Sequence, residues 1–319
     1  MLNRRNLLKA AGAASLAAGV PRVAFARDGL IKVTVGFAPG GPGEVLCRML
    51  VKDMAETMGK TIIVDNKPGA AGMLAAIEIV KAPADGSAMI YSPPGILTTQ
   101  PLVDRKLPYD PSAIETLAGI CDFSFAIAVK ADHPAKNLKE YAEWAKKNGL
   151  IGVLGLGSMP HFIGFQFAHD GGFPFEAVPY KGSKPLEVDI LAGTVPSGIS
   201  IVAAFAKQHQ TGAIRVLGVT GTKRSKQLPD VPTFAEQGFP AIVAEESFGF
   251  YGPKGSSAQF KTEVYEALVK ALKQPKTASF MQVMDFEPNP LTADQYATAL
   301  ADWTKRWKPV VEATGFHTN

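Results

Sequence analysis

A glycine-rich turn between an apolar strand and a helix is the part of this chain whose residues most directly offer chemistry. The sequence VTVGFAPGGPGEV occupies residues 33–45. At such a junction the first backbone N–H groups of the helix have no intrahelical partner, and the helix dipole adds partial positive charge. The turn is therefore predicted to bind an anion without a lysine or arginine side chain.

A second turn of the same kind follows in the middle of the chain. The sequence LGLGSMPH at residues 154–161 also leads from an apolar strand to a helix and ends on His161. Glycines are common wherever a turn is tight. Two such turns in matching positions, each opening a helix, favour a binding role, and we expect them to face each other across a cleft.

The sequence carries no complete motif for catalysis, a nucleotide or a metal. The first turn lacks the third glycine of a dinucleotide fingerprint, and no phosphate loop, nucleophile elbow or H-E-x-x-H pair is found. The five histidines lack metal-ligand spacing. We predict no enzyme activity, no cofactor and no metal. An exported α/β enzyme stays open as an alternative, for which Cys47, Ser158 and His161 are the candidate groups near glycine turns.

The elements that must position these turns alternate between apolar strands and amphipathic helices, which is typical of parallel α/β sheets. Helices are expected from about residues 43, 70, 138, 160 and 186. Strands are expected at residues 31–37, 61–64, 88–92, 123–130, 151–154, 176–178, 214–220 and 247–251.

The last third of the chain is expected to contain helices only after residue 251. A capping box, Thr292 to Gln295, opens the final helix. Its apolar face is marked by Tyr296, Leu300, Trp303, Trp307 and Val310, and we interpret this stripe as core packing.

Two lobes follow from this pattern, with a ligand cleft between them. We assign residues 27–122 plus 246–319 to lobe 1 and residues 123–245 to lobe 2, with crossings near residues 119–129 and 243–252. Cys47 and Cys121 lie in a predicted helix and a predicted strand, so buried free thiols are favoured over a disulfide.

The first 26 residues are typical of an export signal. Arg4, Arg5 and Lys9 precede a short apolar run, and Ala24-Phe-Ala26 resembles a cleavage site. The paired arginines favour a twin-arginine signal, although an ordinary secretory signal can also carry two. We expect cleavage after Ala26 and a periplasmic location.

Removing that segment changes the charge of the chain. The full sequence has 33 basic and 29 acidic residues, and the signal contains four basic residues and no acidic one. The mature chain is therefore neutral, which gives no support for binding nucleic acid or a membrane surface.

Six motifs in register over most of the chain resemble the Bug-type periplasmic solute-binding proteins of tripartite tricarboxylate transporters. They are FAPGGP at residues 37–42, VDNKPGA at 64–70, ADG at 84–86, LPYDP at 107–111, VPYKG at 178–182 and LPDVPT at 228–233.

The resemblance implies an α/β, two-lobed periplasmic binding protein fold with two parallel-rich sheets, a hinge of two crossover strands and an interlobe cleft. It implies a monomer that closes on a small carboxylate and delivers it to membrane permease subunits. In that family, backbone N–H groups of the two glycine turns hold one carboxylate. Carried onto this sequence, and with the loop after the third strand added, the expected ligand-binding residues are Phe37, Ala38, Pro39, Gly40, Gly41, Ser92, Pro93, Leu156, Gly157, Ser158, His161, Ser200 and Phe248.

Several positions depart from the family pattern and bear on the ligand. Glu44 stands where the family usually has aspartate, and Phe248 where it commonly has tryptophan. Ser200 replaces an aspartate that approaches the ligand in relatives, and Pro93 stiffens a neighbouring loop. The lost polarity favours an aromatic, medium-chain or dicarboxylic ligand over citrate. A ligand-sensing module that feeds a sensor kinase is the alternative that shares the same cleft.

Overall fold

The computed structural model describes residues 29–104 and 106–317. The export signal predicted for residues 1–26 lies outside them. The strands are β1 Leu30–Val35, β2 Thr61–Asn66, β3 Ala88–Ser92, β4 Ile114–Lys130, β5 Leu150–Val153, β6 Glu176–Pro179, β7 Ser197–Ile201, β8 Ile214–Val219, β9 Glu245–Pro253 and β10 Glu287–Thr292.

The helices alternate with these strands, as the sequence predicts. They are α1 Pro42–Met58, α2 Met73–Ile79, α3 Gln100–Val103, α4 Leu138–Ala145, α5 Met159–Gly171, α6 Ser183–Ala192, α7 Val202–Gln210, α8 Ala258–Leu272, α9 Pro275–Val283 and α10 Ala293–Ala313. Short 3₁₀ turns occupy Ala70–Gly72, Pro94–Ile96, Pro111–Ala113 and Ala235–Gln237.

The strands form one curled sheet in the order β2-β1-β3-β9-β4-β7-β5-β6, with β8 and β10 also paired to β4. We call β2, β1, β3, β9 and β10 the first half-sheet, and β7, β5, β6 and β8 the second half-sheet. The β1 and β5 pairs are parallel, whereas β4 pairs antiparallel with all its neighbours. The glycine turns therefore lie at the carboxyl ends of the two parallel groups, where α/β sheets bind ligands.

Strand β4 belongs to both half-sheets. Ser124 pairs with Glu245 of β9, and the next residue, Phe125, pairs with Ile201 of β7. The expected strand at residues 123–130 is thus the second part of a strand that begins at Ile114. The chain passes between the half-sheets within β4 and returns at the start of β9. The assignment of residues 27–122 plus 246–319 and of residues 123–245 to two lobes stays a prediction.

The expectation of helices alone after residue 251 is wrong, because β10 lies between α9 and α10. It pairs antiparallel with β4, with Glu287 opposite Asp122. The sequence EPNPLT does not predict a strand, because proline cannot donate to a strand ladder and is tolerated only at sheet edges and bulges, and β10 pairs with β4 alone. Here the register shifts between Pro288 and Leu291, so the ladder is interrupted where the prolines fall.

Apolar faces of the helices form the core as expected. Phe260, Val264 and Leu268 of α8 are buried. The capping box of α10 is present, but Val311 rather than Val310 is buried at its end, beyond Pro309 within the helix.

Cys47 and Cys121 are buried free cysteines, and burial raises the pKa of both thiols. The described part of the chain contains no helix long and apolar enough to cross a bilayer.

Candidate functional site

A cavity of about 760 Å³, its open mouth included, lies between the two half-sheets. Both glycine turns reach it, and strands β3, β4 and β9 supply aromatic side chains. It is lined by Val35, Phe37, Ala38, Gly41, Gly43, Glu44, Ala71, Tyr91, Ser92, Pro93, Gly95, Gln100, Phe123, Phe125, Leu154, Ser158, Met159, Pro160, Ser183, Ile201, Glu246 and Phe248.

The structure brings seven of the thirteen expected site residues together around this cavity. They are Phe37, Ala38, Gly41, Ser92, Pro93, Ser158 and Phe248. The other six do not line it. They are Pro39, Gly40, Leu156, Gly157, His161 and Ser200.

The first glycine turn already holds a carboxylate of the chain itself. The Gly40 amide donates to Glu44 Oε2 at 3.0 Å, and Arg48 Nε donates to Glu44 Oε1 at 2.5 Å. The Ala38 amide donates to the carbonyl oxygen of Lys181. Among the described residues, the amides of Gly43 and Glu44 have no hydrogen-bond acceptor. An incoming anion would therefore meet the first turn of α1 rather than residues 38–40.

The second glycine turn is held together by its own side chains. Gly155 and Gly157 have φ of 98° and 76°, a conformation that glycine adopts without strain. The Ser158 hydroxyl donates to the Gly155 carbonyl oxygen at 2.7 Å. Ser158 also lines the cavity and is the N-cap residue of α5.

His161 stabilises this turn from behind and does not line the cavity. Its Nδ1 accepts a hydrogen bond of 3.1 Å from the Gly157 amide, and its ring packs edge-on against Phe316. Burial lowers the pKa of His161 to about 4, so the ring is neutral at pH 7. The Gly157 amide, expected to bind ligand, is occupied by this ring.

The groups considered for an enzyme do not form a nucleophile and base. The Ser158 hydroxyl donates to a backbone carbonyl, and His161 Nδ1 accepts from a backbone amide. The Cys47 thiol is buried in the core with a raised pKa. Among the described residues, no cluster of histidine, cysteine, aspartate and glutamate could hold a metal ion.

Ser200 does not line the cavity itself but binds a residue that does. It is buried, and its hydroxyl donates to the Ser183 hydroxyl at 3.0 Å. Ser183 lines the cavity as the first residue of α6, a third helix that begins there. Ser183 is not among the residues predicted from the sequence, although Gly182 just before it marks another strand-to-helix turn.

Aromatic rings form one wall of the cavity. Phe248 stacks on Tyr91 at 5.0 Å between ring centroids and contacts Phe123 at 4.4 Å. A Cβ atom added to Gly43 would lie 2.4 Å from Phe248 Cζ, so the ring occupies the space that a side chain at Gly43 would need. The helix terminus and the aromatic wall are therefore in direct contact.

Three buried oxygen atoms of the lining have no hydrogen-bond partner among the described residues. They are the Tyr91 hydroxyl, Gln100 Oε1 and Glu246 Oε1. Glu246 is 6% exposed, and burial raises its pKa to about 8. None of the three is among the residues predicted from the sequence. Glu246 could have been found, because it stands two residues before Phe248 on the same strand and so on the same face.

The two half-sheets contact each other beside the cavity. Gln100 Nε2 donates to the Leu156 carbonyl oxygen at 3.3 Å. A Cβ atom added to Gly155 would lie 3.0 Å from Ala71. Within the described residues, no lysine, arginine or histidine lines the enclosed space.

The amino-acid sequence is similar to a known protein family and to individual curated proteins. A family model described as tripartite tricarboxylate transporter family receptor matches residues 46–316. The UPF0065 protein in the gbd 5′ region of Cupriavidus necator is 30% identical over 332 residues, covering 98% of both chains.

Two solved structures have the same fold as this chain. The periplasmic binding protein BugD is 26% identical, with a TM-score of 0.84 over 90% of this chain and 98% of its own. A protein of R. palustris solved with adipate is 28% identical, with the same TM-score and coverage. The predicted α/β periplasmic binding protein fold is confirmed.

Proposed function

Since this chain belongs to the tripartite tricarboxylate transporter receptor family, we propose that it captures a small aromatic or dicarboxylic carboxylate in the cleft between its half-sheets. It delivers the bound ligand to the membrane permease subunits of such a transporter. It works as a monomer in the periplasm, in two lobes that meet where β4 and β9 cross.

The observation that carries this proposal is the convergence of three helix N-termini on one cavity. Gly43 at the start of α1, Ser158 before α5 and Ser183 at the start of α6 all line it. Each terminus adds a partial positive charge, and the amides of Gly43 and Glu44 in α1 and of Met159 in α5 have no hydrogen-bond acceptor among the described residues. Together they stabilise an anion in a cavity that has no cationic side chain among the described residues.

The rest of the ligand lies against the aromatic wall. Tyr91, Phe123 and Phe248 give this wall a flat apolar surface, which suits a ring or a short methylene chain. The adipate in the R. palustris relative is a ligand of that kind, with four methylene groups between two carboxylates.

Ligand-dependent thermal stability of the mature protein tests the proposal. Purified protein is freed of carried-over ligand by unfolding, dialysis and refolding. It is then melted with adipate, benzoate, malate, citrate and, as a control, a neutral sugar. A carboxylate at a hundred times its Kd stabilises the folded state by about 2.7 kcal/mol, which raises the melting temperature by several degrees. We expect adipate or benzoate to give the largest rise. The proposal fails if no carboxylate raises it.

A further inference from the structure

We propose that Glu246 is a specificity-determining residue of this cavity, where its protonated carboxyl group donates a hydrogen bond to a second oxygen-bearing group of the bound carboxylate. The inference rests on the proposed function, because it concerns the far end of the same ligand.

Glu246 lies at the point where the chain returns from the second half-sheet to the first. It pairs with Phe123 across the β4–β9 ladder and lines the cavity with Phe123 and Phe248. Its side chain is buried, and its Oε1 has no hydrogen-bond partner in the described part of the chain. A buried polar atom without a partner is costly, so a ligand that pairs with it gains affinity.

No described cation faces this carboxyl group, and burial alone accounts for its raised pKa of about 8. Arg48 of α1 does not line the cavity, and its guanidinium group is bound to Glu44 and Asn66. The titratable groups around Glu246 are acidic or phenolic: Glu44 of α1, Tyr91 of β3, Asp122 of β4, Tyr251 of β9 and Tyr296 of α10.

The charge of the ligand selects the protonated form of Glu246. An ionised Glu246 would place a negative charge beside an anionic ligand in a space without a described cation, which is unfavourable at low dielectric. A protonated carboxyl group adds no charge and can donate one hydrogen bond. A second carboxylate or a carbonyl oxygen on the ligand would accept it, and the Tyr91 hydroxyl is free to donate to the same group.

This arrangement makes binding depend on pH. Below a pH of about 8 the proton is already present on Glu246, so affinity changes little. Above that pH the free protein loses the proton and must take it up again when the ligand binds. The affinity is then expected to fall about tenfold for each pH unit.

Titration calorimetry with adipate tests the proposal on the mature protein between about pH 6.5 and 9.5, a range that brackets the raised pKa. We expect the affinity to fall above pH 8 and binding at high pH to take up one proton. Proton uptake is measured by comparing buffers of different ionisation enthalpy. Glu246→Gln keeps a donor of similar shape without a titratable proton, so we expect near-native affinity at low pH, no pH dependence and no proton uptake.

Glu245→Gln is the matched control, because Glu245 is exposed and neighbours Glu246. It makes the same substitution at a carboxyl group outside the cavity lining, so its affinity should depend on pH as that of the natural protein does. Calorimetry on the natural protein alone tests the proposal if Glu246→Gln does not fold. An affinity independent of pH, or one that rises with pH and is lost in Glu246→Gln, overturns the inference and leaves the proposed function standing. If no carboxylate binds, both the inference about Glu246 and the proposed function are overturned.

Discussion

The amide of Ala38 donates a 2.9 Å hydrogen bond to the carbonyl oxygen of Lys181, and this bond joins the first half-sheet to the second beside the cavity that Ala38 lines. Both residues lie in strand-to-helix turns, beyond β1 and β6 respectively. The turns that line the cavity are therefore also the surfaces that meet when the cleft closes. We therefore expect ligand binding and closure to be coupled through the same backbone.

Gly41 tests this coupling without straining the backbone. Its φ of −76° and ψ of 153° suit any residue, and an added Cβ atom would lie 3.9 Å from Ser183. Gly41→Ala should therefore bind almost normally. The extra methyl groups of Gly41→Val enter the gap between the turns, so we expect at least about tenfold weaker carboxylate binding by calorimetry. Unchanged affinity in the valine variant would remove the first turn from the site.

Replacing the carboxylate that occupies the first turn should strengthen anion binding. Glu44→Gln removes a negative charge from the edge of the cavity and leaves Arg48 unneutralised. We expect roughly three- to tenfold tighter binding at low ionic strength, decreasing as salt is added. Glu56→Gln removes an exposed charge from the same helix and should leave affinity unchanged. Equal effects from both variants would mean that net charge alone is responsible.

His161 should make the folded state sensitive to acid. Its folded-state pKa of about 4 lies below the ordinary value of 6.5, so the unfolded chain binds the additional proton between these values. Stability is then lost as the pH falls through that window. From pH 7 to about 4.5, the natural protein should lose about 2 kcal/mol more unfolding free energy than His161→Gln, measured with urea. His169→Gln, at an exposed position, should behave like the natural protein. Equal acid sensitivity in all three proteins would contradict a buried neutral ring.

The contact between Gly43 and Phe248 should appear as an energetic coupling. Gly43→Ala places a methyl group where the ring of Phe248 lies, and overpacking of this kind typically costs about 1–3 kcal/mol. Phe248→Leu removes most of the ring, so the double variant should be more stable than the sum of the single changes predicts. Denaturant unfolding of all four proteins gives the coupling energy, expected to be about 1 kcal/mol or more. Additive effects would show that the two positions relax independently.

The starts of helices could be predicted from the sequence where a local turn or capping motif determines them. Glycine turns located the starts of α1 and α5, and the Thr292 capping box located α10 within one residue. The strand β10 was missed because its prolines oppose strand propensity, and only pairing with β4 reveals it. The first half of β4 was missed for a related reason, since it is buried on both faces and shows no alternation.

The site was predictable only in part, because sequence cannot say which backbone donors the chain uses for itself. The amides of Gly40 and Gly157 were expected to bind ligand, yet Glu44 and His161 occupy them. Glu246, by contrast, was predictable, because the two-residue period of a strand places it on the same face as Phe248, an expected site residue.

Strand β9 lies between β3 and β4 in the middle of the first half-sheet, yet it follows β3 by more than 150 residues. During synthesis, β3 and β4 therefore emerge with the edges that later receive β9 unpaired. The second half-sheet can pair its own strands before that gap is filled. A chain truncated before Glu245 would keep those edges exposed, so we expect such fragments to aggregate rather than fold as half a receptor.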